Sequence, residues 1–277
     1  MSRAFPTRSL RAATVLAAGL VVGLGAGPAP DASPMGGSPS GANSGLSTPL
    51  PGKSSFTPQQ RAEIVSIVRD ALKQDPTILR EAVNALQADD ASRQQATTRA
   101  AINAQHAALS DPADPATGNQ KGDVTIVEFF DTRCPYCRHM DPTMTQVLRQ
   151  DPGVKLVFKD LPILGPASLL GSKALLAAQR QDGYEKLRTA IMQSPPDITI
   201  EMIRSLAEGV GLDWARMQRD MDDPAIQQRL DANVRLAREL GIEGTPVLVI
   251  GDALVPGAVE VADIERAVGE ARSTARN

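Results

Sequence analysis

The sequence predicts an α/β fold with a long all-helical insertion, preceded by an N-terminal helical arm. Three observations indicate this fold class. A continuous apolar strand is followed by a helix and a second strand, a unit for which a right-handed crossover is expected. A long block with helical periodicity comes next. The chain then returns to a strand, a tight turn and a second strand, and ends on a helix.

The composition is that of a globular chain with an acidic balance. Of 277 residues, 42% are hydrophobic and 22% are charged, which suffices for one sizeable core plus an appendage. Aromatic residues make up only 3% and the net charge is -3, so neither base-stacking platforms nor a basic surface is available. We therefore expect no nucleic-acid partner.

Residues 1–26 have the order of an export signal. Three arginines precede an apolar run, and no acidic residue occurs before Asp31. The run is shorter than the roughly 20 residues that a membrane-spanning helix needs. We therefore expect a periplasmic or otherwise exported protein, with its signal peptide either cleaved or retained as an N-terminal anchor.

A linker and a helical arm are expected to follow the signal. Gly, Pro, Ala and Ser dominate residues 27–55, which predicts a disordered linker. A capping box begins at Thr57, and apolar residues at helical spacing then form a stripe through residues 56–109, with a break at Pro76. This stripe needs a partner, either the body of the same chain or the same arm in another copy. We favour a homo-oligomer formed through this arm.

The α/β domain is predicted over residues 118–277, behind a turn-rich connector at 110–122. Its predicted elements are, in order, a strand at 124–130, a helix to about residue 150 with a kink at Pro142, a strand at 154–159, the helical insertion at about 167–241, a hairpin of strands at 247–250 and 253–255, and a helix at 261–271.

Only two cysteines occur in the chain, Cys134 and Cys137, directly after the first strand. A structural zinc needs four ligands, and the two histidines, His106 and His139, are expected on the surface. A structural disulfide across two intervening residues closes a very small loop and stabilises little. We therefore interpret the pair as a redox centre that needs no metal and no soluble cofactor.

Their position gives the two thiols different expected roles. Cys134 comes at the first turn of a helix, where free amides and the helix dipole favour a thiolate, so we expect it to be exposed and to attack. Pro135 suits that first turn. Cys137 lies one turn further in and is expected to be shielded and to resolve the mixed disulfide.

Two further features have both a functional and an ordinary interpretation. A cis bond between Thr245 and Pro246 would expose the backbone of Thr245 to an extended substrate, whereas a trans proline at a strand start is the commoner case. Glu128 is the one acid within the apolar strand. If it is buried it can exchange a proton with Cys137, and otherwise it faces solvent at a strand edge.

The segments VTIVEFFDTRCPYC, KLVFKDLPILGPAS and GIEGTPVLVIGDALVPGAV resemble the DsbA-like thiol:disulfide interchange proteins of the thioredoxin superfamily. The resemblance implies a thioredoxin-like fold. It also implies Cys134 as nucleophile, Cys137 as resolving thiol of a redox-active disulfide, and Glu128 as buried proton carrier. The candidate substrate-binding residues are Pro135, Tyr136, Thr245 and Pro246.

These motifs are compatible with either direction of electron flow. Tyr136 stands where strongly oxidising members have histidine, and Thr245 is similar to the residue found in isomerases and ScsC-like proteins, a subgroup that also has a helical arm. The resemblance implies secreted or periplasmic protein substrates and a membrane redox partner. The alternatives are a disulfide isomerase or reductase acting as an oligomer, and a holdase-type chaperone with incidental cysteines.

Overall fold

The structure is a computed structural model and describes residues 55–275. The predicted signal at 1–26 and the predicted linker, apart from Ser55, lie outside the described residues. The chain divides into two compact units between Arg61 and Ala62, and each unit is described by itself.

Of the first unit, the described part contains the start of helix α1 (Pro58–Gln74). Thr57 Oγ1 accepts a hydrogen bond from the Gln60 amide at 3.2 Å, and Gln60 Oε1 accepts one from the Thr57 amide at 2.8 Å. The predicted capping box is therefore confirmed.

The second unit begins with the rest of α1 and continues with α2 (Thr77–Ala104) and α3 (His106–Leu109). The predicted break at Pro76 is confirmed, because it separates α1 from α2. Ile102 and Leu109, at the end of the arm, are buried. Nine large apolar side chains before them are exposed: Ile64, Val65, Ile67, Val68, Leu72, Ile78, Leu79, Val83 and Leu86.

In the described part of the chain, five strands form one mixed sheet in the order β1-β3-β2-β4-β5. The strands are β1 (Ala116–Gly118), β2 (Val124–Phe130), β3 (Val154–Asp160), β4 (Val247–Ile250) and β5 (Ala253–Pro256). Strands β2 and β3 are parallel, and the other three pairs are antiparallel. The strand–helix–strand unit and the hairpin predicted from the sequence are thus confirmed.

Strand β1 corrects the sequence prediction. It lies in the stretch that we interpreted as a turn-rich connector, so the sheet begins at Ala116, two residues before the predicted start of the domain. The strand is three residues long and pairs with β3 at the sheet edge. Three residues are too few to show the alternation of apolar and polar side chains that identifies a strand. The conformation of this segment depends instead on pairing with β3.

Within residues 55–275, seven more helices complete the fold. They are α4 (Pro135–Gln150), α5 (Pro166–Gln179), α6 (Tyr184–Gln193), α7 (Ile200–Gly209), α8 (Trp214–Met221), α9 (Pro224–Glu239) and α10 (Val261–Ala275). Helices α5 to α9 are the predicted insertion. Pro142 lies within α4, and α10 runs four residues beyond its predicted end at Ala271.

The sheet has helices on both faces, as the sequence predicts. Side chains alternate along β2, so Ile126 and Phe130 pack on one face with α4 and the insertion, while Val127 and Phe129 pack on the other. We call the first the cysteine face, since both cysteines pack there, and the second the arm face, since Ile102 packs there. Within the described range, none of the helices is both long and apolar enough to cross a membrane.

Candidate active site

The two cysteines lie where β2 gives way to α4. Cys134 is the N-cap of α4, with an extended backbone, and Pro135 occupies the first helical turn. Cys137 follows one turn later. Both cysteines are free thiols in this structure. The sequence predicted this placement because an apolar strand ends at Phe130, five residues before a proline that suits a helix start.

The expectation that Cys134 is exposed is wrong. Its relative exposure is 4%, and its thiol donates a hydrogen bond to the Thr245 carbonyl oxygen at 3.2 Å. The loop before β4 therefore covers the sulfur, a contact across 111 positions that local sequence does not reveal. An incoming disulfide has to replace this hydrogen bond to reach Cys134 Sγ.

The Thr245–Pro246 peptide bond is cis, in agreement with what the resemblance implies. The Pro246 carbonyl accepts a hydrogen bond from the Gly257 amide at 2.8 Å, which ties this loop to the end of the hairpin. A cleft of about 420 Å³ runs along the same loop, and apolar side chains such as Ile242 and Leu254 contribute to its walls. The loop thus contacts Cys134 on one side and an open cleft on another.

Cys137 is fully buried, as expected. Burial raises the pKa of its thiol far above the usual range, and the charges of Cys134 and Glu128 raise it further. At neutral pH Cys137 is therefore protonated, and it needs a base before it can attack a disulfide.

Glu128 is also fully buried, so the solvent-facing alternative is wrong. It lies on the cysteine face, between Phe158 of β3 and Leu248 of β4 in register. Burial raises the pKa of Glu128, and the Arg188 guanidinium, 3.4 Å from Oε2, opposes that effect. Its Oε1 has no hydrogen-bond partner among the described residues. On the sheet face that holds both cysteines, one oxygen of the Glu128 carboxylate therefore accepts no hydrogen bond from the described residues.

Asp131 is a site residue that the sequence analysis missed. Its buried carboxylate accepts hydrogen bonds from the amides of Arg133 at 2.8 Å, Ile163 at 2.9 Å and Leu164 at 3.0 Å. It therefore fixes the cysteine turn and the loop after β3 to each other. An aspartate directly after a strand often accepts a hydrogen bond from the backbone amide two residues later, which is an Asx turn. Asp131 and Arg133 have this spacing, so the sequence contained a signal for part of this role.

Comparison with known proteins identifies the family. Residues 125–269 match the family described as DSBA-like thioredoxin domain, over more than half of the chain. The chain belongs to the DSBA-like thioredoxin domain family. Residues 60–93 also match the copper resistance protein ScsC N-terminal domain, so this DSBA-like chain carries a second recognisable segment in its arm.

Solved structures of similar proteins extend over most of the DSBA-like chain. A linker-deletion mutant of Proteus mirabilis ScsC is 30% identical and covers 80% of this chain and 100% of that chain, with a TM-score of 0.60. A thioredoxin-like oxidoreductase from Silicibacter pomeroyi is 41% identical, covering 60% and 95%, with a TM-score of 0.58. The thiol-disulfide exchange protein alpha-DsbA2 from Wolbachia pipientis is 28% identical, covering 64% and 97%, with a TM-score of 0.61.

Curated relatives include proteins of different lengths. The thiol:disulfide interchange protein DsbA of Bordetella pertussis is 25% identical over 142 residues, 50% of this chain and 68% of that protein. Na(+)/H(+) antiporter NhaA 3 of Salinispora tropica is 25% identical over 174 residues, 61% of this chain but 27% of the antiporter. The chain therefore spans about a quarter of the length of such antiporters.

In this DSBA-like domain, two arginines connect the cysteine turn to its surroundings. Arg133 Nη1 donates to the Leu164 carbonyl at 2.7 Å. Arg138 Nη2 donates to the Thr132 carbonyl at 2.7 Å, and its Nη1 reaches the Ile191 carbonyl of α6 at 3.0 Å. The helical insertion thus supports the turn directly. No local pattern marks these arginines, because Leu164 and Ile191 are distant from them in sequence.

Exposed apolar side chains flank the buried cysteines of the DSBA-like site. Tyr136 is 65% exposed, and Ile163 and Leu164 are each 43% exposed. Asp131 and Arg133 hold the Ile163–Leu164 segment to the cysteine turn. An apolar surface therefore lies beside the thiols, while His106 and His139 are exposed elsewhere, as expected.

Proposed function

We propose that the chain is an exported thiol:disulfide oxidoreductase that exchanges disulfides with protein substrates through Cys134 and Cys137. The main support for this proposal is the difference in environment between the two cysteines. Cys134 caps a helix and contacts the Thr245 loop, whereas Cys137 is sealed in the interior with a strongly raised pKa. A sulfur directly beneath the Thr245 loop and a second sulfur deeper in the interior suit a mixed disulfide that forms on the first and is resolved by the second.

The proposed exchange conserves atoms and charge. Cys134 loses its thiol proton to solvent as the substrate replaces the Thr245 contact. Its thiolate then attacks a substrate disulfide, which forms a mixed disulfide and releases one substrate thiolate. Cys137 then gives its proton to Glu128 and attacks Cys134 Sγ, which forms the Cys134–Cys137 disulfide and releases the second thiolate. The substrate disulfide is reduced and the protein dithiol oxidised. The same steps in reverse donate a disulfide.

Substrate binding is proposed at the surface around the cysteine turn. Pro135 and Tyr136 form its exposed edge. Thr245 brings its carbonyl oxygen to the sulfur of Cys134, and Pro246 follows across the cis bond. The apolar surface and the cleft along the loop suit unfolded or extended chains, since such chains expose apolar side chains. Secreted or periplasmic proteins and a membrane redox partner are the proposed reaction partners. A similar Salmonella enterica protein, 32% identical, is described as periplasmic.

Self-association through the arm is proposed as part of the same function. The exposed apolar stripe of α1 and α2 supports it, and the similarity to the ScsC N-terminal segment covers the same residues. Among the described residues of the arm, those buried against the body of the chain lie at its end, at Ile102 and Leu109. An oligomer would favour the isomerase or reductase alternative, because several active sites could act on one misfolded substrate.

Turnover by cysteine variants tests the proposed function. We expect Cys134→Ser to abolish both the oxidation of reduced unfolded proteins and the repair of scrambled disulfides. Cys137→Ser should accumulate mixed disulfides that a reductant releases. His139→Ala, an exposed change on the same helix, is the matched control and should retain turnover. If Cys134→Ser keeps suppressing aggregation and turnover is unchanged, the holdase alternative with incidental cysteines is correct instead.

A further inference from the structure

Arg188 is a buried cation that the helical insertion contributes to the cysteine face. It lies in α6 and is 5% exposed. Its guanidinium lies over the rings of Phe130 and Phe158, at 4.9 and 4.3 Å from their centroids. A cation at this depth is tolerated only if it is paired, and its ring contacts fix its position.

Two carboxylates share this cation. Nη2 of Arg188 lies 3.4 Å from Glu128 Oε2, and Nη1 is hydrogen-bonded to Asp141 Oδ1. The contact with Asp141 is the shorter of the two. Arg188 thus forms ion pairs with both the buried Glu128 of β2 and the partly exposed Asp141 of α4.

The charged and titratable groups around Glu128 come from helices α4 and α6 and from strand β3, whereas the paired strand β4 has only apolar side chains. Helix α4 contributes Cys137 and Asp141. The negative charge of Asp141 disfavours ionisation of Glu128. Helix α6 contributes Arg188 and Tyr184, and β3 contributes Asp160, which accepts a hydrogen bond from the Tyr184 hydroxyl at 2.7 Å. Arg188 is the one cation within 4 Å of Glu128 among the described residues. It is therefore the group that opposes the effect of burial.

A cavity gives solvent a route to the shared cation. It has a volume of about 570 Å³ and lies between α4 and α6, and Asp141 and Arg188 are among its lining residues. Glu128 does not line it. The cavity thus borders Arg188 and Asp141, while Glu128 is separated from it.

We propose that Arg188 is a positioning residue for disulfide exchange, because it keeps Glu128 available as a carboxylate that can take the proton of Cys137. This inference rests on the proposed function. With burial alone, Glu128 would hold its proton, and a protonated carboxyl cannot accept another from Cys137. Asp141 has the opposite influence, because it competes for the same guanidinium and adds negative charge.

Two-step release of a coloured thiolate tests the inference on the full chain. The reduced protein is mixed with 5,5′-dithiobis(2-nitrobenzoate) at a series of pH values. Attack by Cys134 releases the first equivalent, and attack by Cys137 on the mixed disulfide releases the second. We expect Arg188→Met, which keeps the length and the packing over the rings, to move the pH midpoint of the second step upward by about 1 unit or more. The first step should be unaffected.

Asp141→Asn provides a test of opposite sign. The Asp141 side chain is 17% exposed. The change removes its negative charge, so Glu128 becomes the one carboxylate among the described residues that pairs with the Arg188 guanidinium. The midpoint of the second step should move downward. A merely structural role of Arg188 would not produce shifts of opposite sign in the two variants. In a Glu128→Gln background, Arg188→Met should cause no further shift.

The outcomes distinguish this inference from the proposed function. If the wild-type chain never releases a second equivalent, the exchange function itself is wrong. If it releases two and Arg188→Met has the wild-type profile, only the role of Arg188 is wrong. If Arg188→Met fails to fold by circular dichroism, Asp141→Asn decides alone, and an unchanged or upward midpoint overturns the inference.

Discussion

Ionisable side chains are concentrated in the interior of the cysteine face. Glu128, Asp160, Tyr184 and Arg188 are all buried there, around the helix that carries Cys137. The sequence indicated Glu128 as a candidate, because an acid inside an apolar strand is conspicuous, but it left open whether that acid is buried. It did not predict Arg188, since a single arginine on an amphipathic helix is ordinarily a surface residue. Its role depends on tertiary placement.

Asp160 should make stability depend on pH. Burial raises its pKa from 3.8 to about 7, against the hydrogen bond from Tyr184. The folded state therefore binds the proton more tightly, and this contribution is complete below about pH 4 and is lost as pH rises through about 7. A shift of about three units corresponds to roughly 4 kcal/mol.

Urea unfolding of Asp160→Asn between pH 4.5 and pH 8 measures that contribution. We expect the free energy of unfolding of the wild type to fall, relative to the variant, by up to roughly 4 kcal/mol over this range. Asp197→Asn is the control, because that side chain is 92% exposed, and its curve should run parallel to the wild type. Parallel curves for Asp160→Asn would show that Asp160 does not titrate in this window.

Asp131 should determine the order of the cysteine turn. Asp131→Ala leaves three buried or partly buried amides without their acceptor, at roughly 1–3 kcal/mol for each unsatisfied group. We expect a lower unfolding temperature and faster alkylation of Cys134. Asp111→Ala removes an exposed Asx contact to the Ala113 amide and serves as control, with a change within about 0.5 kcal/mol. Equal effects of the two changes would contradict the assigned role.

At the scale of elements, strands and helices with strong periodicity were predictable, and their partners were not. Strands β2 and β3 and helix α4 follow from apolar runs and a helix-start proline. Strand β1 has three residues and depends on β3 for its conformation. The burial of Cys134 escaped prediction for the same reason, because Thr245 covers it from a loop that is distant in sequence.

The junction between the arm and the domain is held by a buried ionic cluster. Lys159 of β3 contacts Asp114 and donates to the Ala108 carbonyl at 2.6 Å, and Arg229 of α9 lies 2.6 Å from Asp114. The side chains of Asp114 and Lys159 are 2% and 4% exposed. This cluster joins the end of the arm, an inner strand and the insertion on the arm face.

Asp114→Asn should therefore destabilise the protein strongly. Removing one partner of a buried ion pair costs about 3–5 kcal/mol, because the remaining cations stay desolvated. Chemical unfolding of the full chain measures the loss. Glu208→Gln breaks the exposed pair with Arg204 and is the matched control, expected to change the free energy of unfolding by less than about 1 kcal/mol. A small effect of Asp114→Asn would mean that water enters the cluster.

On the scale of the whole molecule, the two faces of the sheet have separate tasks. The cysteine face holds the thiols, the buried acids and Arg188, whereas the arm face receives Ile102 and Leu109 from the arm. The sequence indicated both an arm and a domain. It left open which part of the arm docks on its own body, because a stripe of small and apolar residues fits either partner. In the part of the arm that the structure describes, burial against the body occurs at its end.

The exposed part of the arm is expected to be buried between copies of the chain. Deleting residues 56–109 would also remove Ile102 and Leu109 from the core, so point substitutions in the full chain are the better test. Leu79 and Leu86 are 57% and 65% exposed. Burying each leucine stabilises an assembly by about 1.5 kcal/mol or more, so Leu79→Ser with Leu86→Ser should weaken association at least roughly 100-fold.

Light scattering on the eluting full-length protein measures the assembly. The wild type should have a mass that is a multiple of the monomer, and the double leucine variant should shift toward the monomer at micromolar concentration. Gln87→Ser with Gln94→Ser changes polar, exposed positions of the same helix and should leave the assembly intact. Release of both thiolate equivalents should persist in the monomer, because each site contains its own cysteines, Glu128 and Arg188. A monomeric wild type would overturn the proposed self-association and leave the chemistry of the site untouched.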